Sequence, residues 1–219
     1  MLFTTNLLSC ILILPLLGSF LLLITPFYNR TVLKSIVLNF SCLTFIFSLL
    51  IWVLFDKSVG TFQFNEKFLW MPFLNFNFPL GIDGISLFFV ILTTMLIPLC
   101  LLASWDSIQT DLKKYFMAFL IMEFFLIGVF CILDLLLFYI FFESVLIPMY
   151  LIVGVWGSRE RKIRAAYFFF LYTLLGSVLM LLSILYIYYQ AGTTDYEILL
   201  SFIFSPIEQK IIWLSFFMS

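Results

Sequence analysis

The feature that most constrains this chain is the length of its uncharged segments. Residues 1–29, 35–55, 84–105 and 165–194 contain no Asp, Glu, Lys or Arg. A helix needs about 20 apolar residues to cross the hydrocarbon core of a bilayer. Only 11% of the 219 residues are charged, whereas soluble domains carry about 25%. The sequence therefore predicts an integral membrane protein and excludes a soluble globular domain.

Six apolar runs are long enough to cross a bilayer, which predicts an all-α membrane protein with six transmembrane helices. A seventh run starts at Ile211 and reaches Ser219, which is about 14 Å of helix and under half of a bilayer. We therefore expect the fold to be incomplete at the C-terminus. The predicted spans are Leu7–Ile24, Val32–Phe55, Ile85–Ala103, Phe116–Leu133, Leu135–Val155 and Ala166–Tyr189.

The connecting segments are short except for one. Residues 1–55 hold the first two helices, residues 56–84 form a long connection, and residues 85–219 hold the third to sixth helices and the start of the seventh. Phe alternates with polar residues around Gln63 and around Asn77, which favours a short β-hairpin at the membrane surface. Trp70 suits the interfacial zone, where amphipathic aromatic side chains collect.

Lysine and arginine are divided unequally between the two sides that alternate loops would face. With six crossings, one side holds eight of them and the other holds three. The positive-inside rule places the eight toward the cytoplasm or the mitochondrial matrix, with the N-terminus and residues 56–84 opposite. The eight are Arg30, Lys34, Lys113, Lys114, Arg159, Arg161, Lys162 and Arg164, and the three are Lys57, Lys67 and Lys210.

Several classes of chemistry are excluded by composition. The chain contains no histidine, which removes the commonest metal ligand and any Ser-His hydrolase. Cys10, Cys42, Cys100 and Cys131 lack zinc or iron–sulfur spacing, so we expect them to fill helix interfaces. There is no Gly-rich phosphate loop, and a net charge of −1 argues against a nucleic-acid partner. We expect no metal and no redox cofactor in this chain.

Two carboxyl groups lie within predicted spans, Glu123 in the fourth and Glu143 in the fifth. Such residues usually face a bundle interior or a hydrated path, because a carboxylate in hydrocarbon is costly. Counting along the helices places both near mid-membrane, with depths that differ by about 6 Å. A proton relay through water between the two is one interpretation, and a protonated glutamate bonded to a neighbouring helix is the other. Asp134, at the turn between the two helices, is expected to be a solvated loop residue.

Pro148 follows Glu143 by five residues and removes the amide that would have bonded the carbonyl of Ser144. The freed carbonyl can bind water beside Glu143, and the helix can bend there. A plain kink for packing is the alternative.

The basic cluster, Arg159, Arg161, Lys162 and Arg164, follows the fifth predicted span. It is suited to contact anionic lipid head groups or a partner subunit. An orientation signal without a ligand is the other interpretation.

Three stretches carry a family resemblance. They are DLLLFYIFFESVLIPMY at Asp134–Tyr150, GVWGSRERKIRAAYFFFLYTLLGS at Gly154–Ser177 and GIDGIS at Gly81–Ser86. The chain resembles, over nearly its whole length, the N-terminal part of the subunit 4 family of respiratory complex I, the proton-pumping NADH:ubiquinone oxidoreductase, in its mitochondrial form.

The resemblance implies an antiporter-like membrane subunit that takes part in proton translocation in the mitochondrial inner membrane. In the family, the glutamate of F-E-S-x-L-I-P is the essential membrane carboxylate, here Glu143, and the glutamate of the M-E motif is a second proton-path residue, here Glu123. FMN, iron–sulfur clusters and NADH are expected on other subunits. A bacterial plasma membrane is the alternative location.

In the family the seventh span continues with a lysine that works with the glutamate, and this chain departs from that pattern because it stops at Ser219 before reaching such a lysine. We therefore expect other complex I membrane subunits as partners, together with a second chain that carries the remainder of subunit 4, and membrane lipids. A Na⁺/H⁺ antiporter subunit of the same superfamily, or a structural fragment without transport activity, remain as alternatives.

The predicted topology is testable by labelling a single cysteine. A cysteine that replaces Ser158 should be protected from a membrane-impermeant maleimide added to the N-terminal side, because the basic cluster around it faces the opposite side. A cysteine that replaces Ser58, in the long connection, is the matched control and should react. Reaction at position 158 from the N-terminal side would reverse the assignment.

Overall fold

The structure is a computed structural model that describes residues 6–25, 30–71 and 76–219. Its elements follow in the order α1 Leu7–Ile24, α2 Arg30–Leu54, β1 Gln63–Met71, β2 Phe76–Ile82, α3 Gly84–Ala103, α4 Leu112–Cys131, α5 Leu135–Trp156, α6 Lys162–Ala191, α7 Tyr196–Leu199 and α8 Pro206–Met218.

Six of these helices, α1 to α6, are long and apolar enough to cross a membrane. The prediction of six transmembrane helices is thus confirmed. The chain divides into two compact units, Met1–Cys131 and Ile132–Ser219. The first holds α1 to α4 with both strands, and the second holds α5 to α8.

Four helices begin before their predicted first residue for an identifiable reason. The first turn of α6 contains Lys162 and Arg164, the first turn of α4 contains Lys113 and Lys114, and α2 starts at Arg30. Hydropathy excluded these charged residues, although Lys and Arg are good helix formers. The α8 helix starts at Pro206 rather than at the predicted Ile211, because Ser205 and Glu208 form a capping box around a Pro at the first helical position.

The first unit is a four-helix bundle in which α4 packs against α1, α2 and α3. Leu8, Ile11 and Leu120 are among its fully buried side chains. Gly18 permits α1 to approach α2 closely, since a Cβ atom there would come within 2.9 Å of the Phe40 side chain. Small residues at helix crossings serve this purpose in membrane proteins.

The cysteines do not share one environment. Cys131 is buried as an interface-filling residue would be, whereas Cys10 and Cys100 are exposed on the surface of this chain.

The long connection between α2 and α3 forms an antiparallel two-stranded sheet of β1 and β2. Glu66 pairs with Leu80, and Phe68 pairs with Phe78 across the hairpin. The side chain of Trp70, for which we predicted an interfacial location, lies outside the described part of the chain.

The hairpin supplies the cap of the first helix. Both oxygens of the buried Glu66 carboxyl accept backbone hydrogen bonds at the start of α1, from the Leu8 N–H at 2.9 Å and from the Ser9 N–H at 3.1 Å. Asn6, at the N-cap position itself, makes no side-chain capping bond. Glu66 therefore satisfies two of the amides that a helix N-terminus leaves open.

Lysine side chains donate hydrogen bonds to carbonyl groups at the C-terminal ends of α1 and α3. The buried Lys113 donates from Nζ to the carbonyls of Leu23 at 2.8 Å and Thr25 at 3.0 Å, where α1 ends. Lys34 donates to the Trp105 carbonyl at 2.6 Å, just beyond the end of α3. A cation at a helix C-terminus also interacts favourably with the helix dipole.

The second unit is built on the packing of α5 against α6, with α8 on α6. Gly192 ends α6 in the left-handed conformation at φ 70°, which glycine adopts without strain. None of the residues of α8 is buried in this chain. Large apolar side chains such as Ile207 and Phe217 therefore face lipid or other protein rather than a core within the unit.

The expectation that Asp134 is a solvated loop residue is wrong. Asp134 is buried and is the N-cap of α5, where its Oδ1 accepts from the Leu136 and Leu137 N–H groups, both at 2.9 Å. The Thr194 hydroxyl donates to Oδ2 at 2.5 Å. Asp directly before a long apolar run is an N-cap signal that identifies this role from sequence.

The Glu66 cap leads to a specific prediction. In Glu66→Gln the side chain keeps its size, but a neutral amide has one oxygen with which to accept two N–H groups. We expect the amide hydrogens of Leu8 and Ser9 to exchange about tenfold faster in the membrane-embedded protein. Hydrogen exchange followed by mass spectrometry measures this rate. Asn65→Ala, at an exposed neighbour, is the control, and equal exchange in both variants would contradict the cap.

Candidate functional site

Glu123 lies in the middle of α4, inside the four-helix bundle of the first unit. Its side chain is fully buried, with 0% of its surface exposed. The helix around it reads LIMEFFLI and has no other charged residue within two turns. The fold therefore holds a carboxyl group at membrane depth, as the sequence predicted, with no counter-ion in its own segment.

The hydrogen-bond partner of Glu123 comes from α2. The Thr44 hydroxyl donates to Oε1 of Glu123 at 2.5 Å, and both side chains are fully buried. Oε2 of Glu123 is also buried and has no hydrogen-bond partner among the residues that the structure describes. One of the two carboxyl oxygens is therefore bonded and the other, within the described residues, is not.

Thr44 belongs to a row of buried hydroxyl groups on one face of α2. Ser41, Thr44 and Ser48 are each 0% exposed, and their spacing of three and four residues places them on the same face. The Ser48 hydroxyl lies 2.8 Å from the Thr94 hydroxyl of α3, which is also fully buried. The bundle interior around Glu123 is therefore polar within an otherwise apolar unit.

These hydroxyl groups were not among the site residues predicted from the sequence. Small polar residues at i, i+3 and i+7 in an apolar helix indicate a buried polar face, and that pattern was present in α2. It does not identify Glu123 as the partner, because the two residues are 79 positions apart.

Glu143 lies in α5 of the second unit, and its side chain is half-buried. Its Oε2 atom is buried and has no hydrogen-bond partner in residues 6–25, 30–71 and 76–219. Pro148 is buried on the same helix, which continues unbroken from Leu135 to Trp156. The Ser144 hydroxyl donates back to the Ile140 carbonyl at 2.7 Å, so it is engaged within the helix.

The two glutamates belong to different units. Glu123 lies in the first and Glu143 in the second. A shared proton path between them is therefore still a prediction. Within the described residues, each carboxyl group nevertheless has one buried oxygen without a hydrogen-bond partner, and an unsatisfied buried polar atom costs about 1–3 kcal/mol.

The basic cluster divides into members with different contacts. Lys162 donates from Nζ to the Val155 carbonyl at 2.5 Å, near the end of α5. Arg164 lies over the Phe168 ring at 5.4 Å. Arg159 and Arg161 are exposed. Lys162 is thus engaged in ending a helix, and the arginines are the members available for lipid or a partner subunit.

Within the described residues, no three His, Cys, Asp or Glu side chains lie close enough together to hold a metal ion. The expectation that no redox cofactor binds to this chain stays a prediction. The polar groups buried within the helices are carboxyl and hydroxyl groups, which can bind, hold and pass protons.

Fold and site together define a multi-pass α-helical membrane protein with buried carboxyl groups in its helices. Residues 132–219 match the family described as NADH:quinone oxidoreductase/Mrp antiporter, transmembrane part. The chain is similar to NADH-ubiquinone oxidoreductase chain 4, with 62% identity to the protein of Chondrus crispus over 94% of this chain and 57% identity to that of Arabidopsis thaliana over 97%.

The match covers only part of those relatives. The chain spans 42% of the length of the Chondrus crispus protein and 43% of that from Arabidopsis thaliana. The fold resembles that of a chain in the structure of respiratory complex I from Thermus thermophilus with bound NADH, with a TM-score of 0.81 and 27% sequence identity. The match covers 96% of this chain and 42% of the Thermus thermophilus chain. An archaeal membrane-bound sulfane sulfur reductase shares the fold, with a TM-score of 0.78 at 20% identity, over 97% of this chain and 33% of its own.

Proposed function

We propose that this chain is part of a membrane subunit of respiratory complex I and takes part in proton translocation coupled to electron transfer from NADH to ubiquinone. The observation that carries the proposal is the pair of membrane carboxyl groups, each with a buried oxygen that has no hydrogen-bond partner in the part of the chain that the structure describes. The identity of 62% with a chain 4 protein supports the assignment to complex I. We place the chain in the mitochondrial inner membrane.

Glu143 is the central proton-path carboxyl in this proposal. A neutral carboxyl is the stable form in hydrocarbon, and a nearby cation stabilises the charged form. When the Glu143 carboxyl group alternates between these two environments, it takes up one proton in the apolar environment and releases it beside the cation. The half-buried position of Glu143 supports this role, because such a side chain can reach a group outside its own unit. Glu123 is the second carrier.

The partners in this proposal are other membrane subunits of complex I and a second chain that carries the remainder of subunit 4. The exposed apolar side chains of α8 support a protein neighbour on that helix. FMN, iron–sulfur clusters and the NADH site belong to other subunits. Arg159, Arg161 and Arg164 are suited to anionic lipid head groups, since the first two are exposed and the third lies over an aromatic ring.

A Na⁺/H⁺ antiporter subunit is the second candidate, because the matching family's description names Mrp antiporters as well as quinone oxidoreductases. The two candidates differ in their protein neighbours. We expect mild detergent extraction and affinity purification of this chain to bring down subunits with FMN and iron–sulfur clusters, identified by mass spectrometry and visible absorption. Purification with hydrophobic antiporter subunits alone, without a flavin or iron–sulfur protein, would instead favour the antiporter.

The role of Glu143 is tested in the assembled complex. Glu143→Gln keeps the shape but fixes the site as neutral, so NADH-driven proton pumping and coupled quinone reduction should fall about tenfold or more. Glu143→Asp should lose less, because it keeps an acid on a shorter side chain. Glu123→Gln should also lose less than Glu143→Gln. Pumping is measured with a pH-sensitive dye in proteoliposomes, after the amount of assembled complex has been equalised.

Glu160→Gln is the matched control, because Glu160 is an exposed glutamate in the same unit. It should pump at the normal rate. A normal rate in Glu143→Gln as well would make Glu143 a structural residue.

A further inference from the structure

We infer that Thr44 is a positioning residue for the carboxyl group of Glu123, and that its hydroxyl keeps this carboxyl in place in both the protonated and the ionised state. The inference rests on the proposed function, in which Glu123 carries a proton. It is based on the contact between α2 and α4, which joins two fully buried side chains at 2.5 Å.

The first reason is that, among the residues that the structure describes, Thr44 alone donates a hydrogen bond to the carboxyl group of Glu123. Oε1 receives the Thr44 hydroxyl, and Oε2 has no partner there. A glutamate side chain has three rotatable bonds, and the other buried hydroxyl groups nearby do not bond its carboxyl end. The position of the carboxyl group therefore depends on this one bond.

The second reason is chemical. A hydroxyl group both donates and accepts, whereas an amide N–H or a lysine ammonium group can only donate. An ionised Glu123 accepts a hydrogen bond from the Thr44 hydroxyl. A protonated Glu123 can donate to the Thr44 oxygen instead, because the Ser41 carbonyl lies 2.8 Å from that oxygen and can accept the hydrogen bond of the Thr44 hydroxyl. Thr44 thus serves both states of Glu123 without moving either helix.

The third reason is that neighbouring hydroxyl groups have other partners. Ser48 lies one turn further along α2 and pairs with Thr94 on α3 at 2.8 Å, while its hydroxyl also reaches the Phe45 carbonyl at 2.7 Å. Ser48 is as deeply buried as Thr44. It therefore provides a matched control, a buried hydroxyl on the same helix face that does not bond Glu123.

The experiment compares Thr44→Val, Thr44→Ser and Ser48→Ala in the assembled complex. Valine has the shape of threonine without the hydroxyl, and serine keeps the hydroxyl. Infrared difference spectra between two pH values, with the Glu123→Gln spectrum subtracted, isolate the C=O stretching band of the protonated Glu123. Proton pumping per assembled complex is measured in parallel.

We expect the Glu123 band to shift to higher frequency in Thr44→Val, because the carboxyl loses its hydrogen bond. The band should stay in place in Thr44→Ser and Ser48→Ala. Pumping should fall about fivefold in Thr44→Val, the loss that corresponds to one ordinary hydrogen bond, and recover in Thr44→Ser. Thr44→Ala carries the same expectation and replaces Thr44→Val if the latter does not assemble.

An unshifted band in Thr44→Val and Thr44→Ala, or an equal shift in Ser48→Ala, would overturn the inference. Its failure is distinguishable from failure of the proposed function. If Glu123→Gln impairs pumping but the frequency of the Glu123 band is the same in the Thr44 variants as in the unchanged protein, the positioning role of Thr44 fails and the proton role of Glu123 stands. If the band shifts as expected but Glu123→Gln pumps normally, the contact exists and Glu123 has no part in translocation.

Discussion

A helix that ends at a membrane surface leaves four amides and four carbonyls without partners, and the fold of the first unit depends on charged side chains that supply them. Glu66 caps the start of α1 and Lys113 its end. Asp83 caps the start of α3, and Lys34 bonds the Trp105 carbonyl just past its end. Both helices therefore carry a carboxylate at the N-terminus and a lysine at the C-terminus, which complements the helix dipole at each end.

The second unit repeats this arrangement in α5, where Asp134 caps the start and Lys162 bonds the carbonyl of Val155 near the end. Some of the lysines that the sequence suggests as an orientation signal therefore also stabilise the fold, because they donate hydrogen bonds to carbonyl groups at helix ends. A helix that runs from the outer to the inner side presents carbonyls at the inner side, which is where the positive-inside rule collects cations. Three of the eight predicted inner cations serve helix ends in this way, Lys34, Lys113 and Lys162.

Sequence alone predicts the helices well and their contacts poorly, for a physical reason. Crossing a bilayer requires a long apolar run, and the run is visible locally. The partners of a buried polar group are not local: Thr44 meets Glu123 across 79 residues, and Thr194 meets Asp134 across 60. The membrane position of Glu143 and Glu123 was therefore predictable, whereas the hydroxyl that holds Glu123 was not.

An acid with a purely structural role in hydrocarbon would be expected to use both of its oxygens, because each unsatisfied polar atom is costly there. The Asp134 carboxyl does so, with partners on Oδ1 and Oδ2. Among the residues that the structure describes, Glu123 and Glu143 each leave one buried oxygen without a partner. Near Glu143 the covalent structure adds a further acceptor, since Pro148 has no N–H to donate to the carbonyl four residues before it. Oε2 of Glu143 and the carbonyl of Ser144 are thus two acceptors that α5 itself does not satisfy. In the proposed function a water molecule or a cation donates to them, and an exchangeable donor is the difference between this carboxyl group and the permanently bonded cap at Asp134.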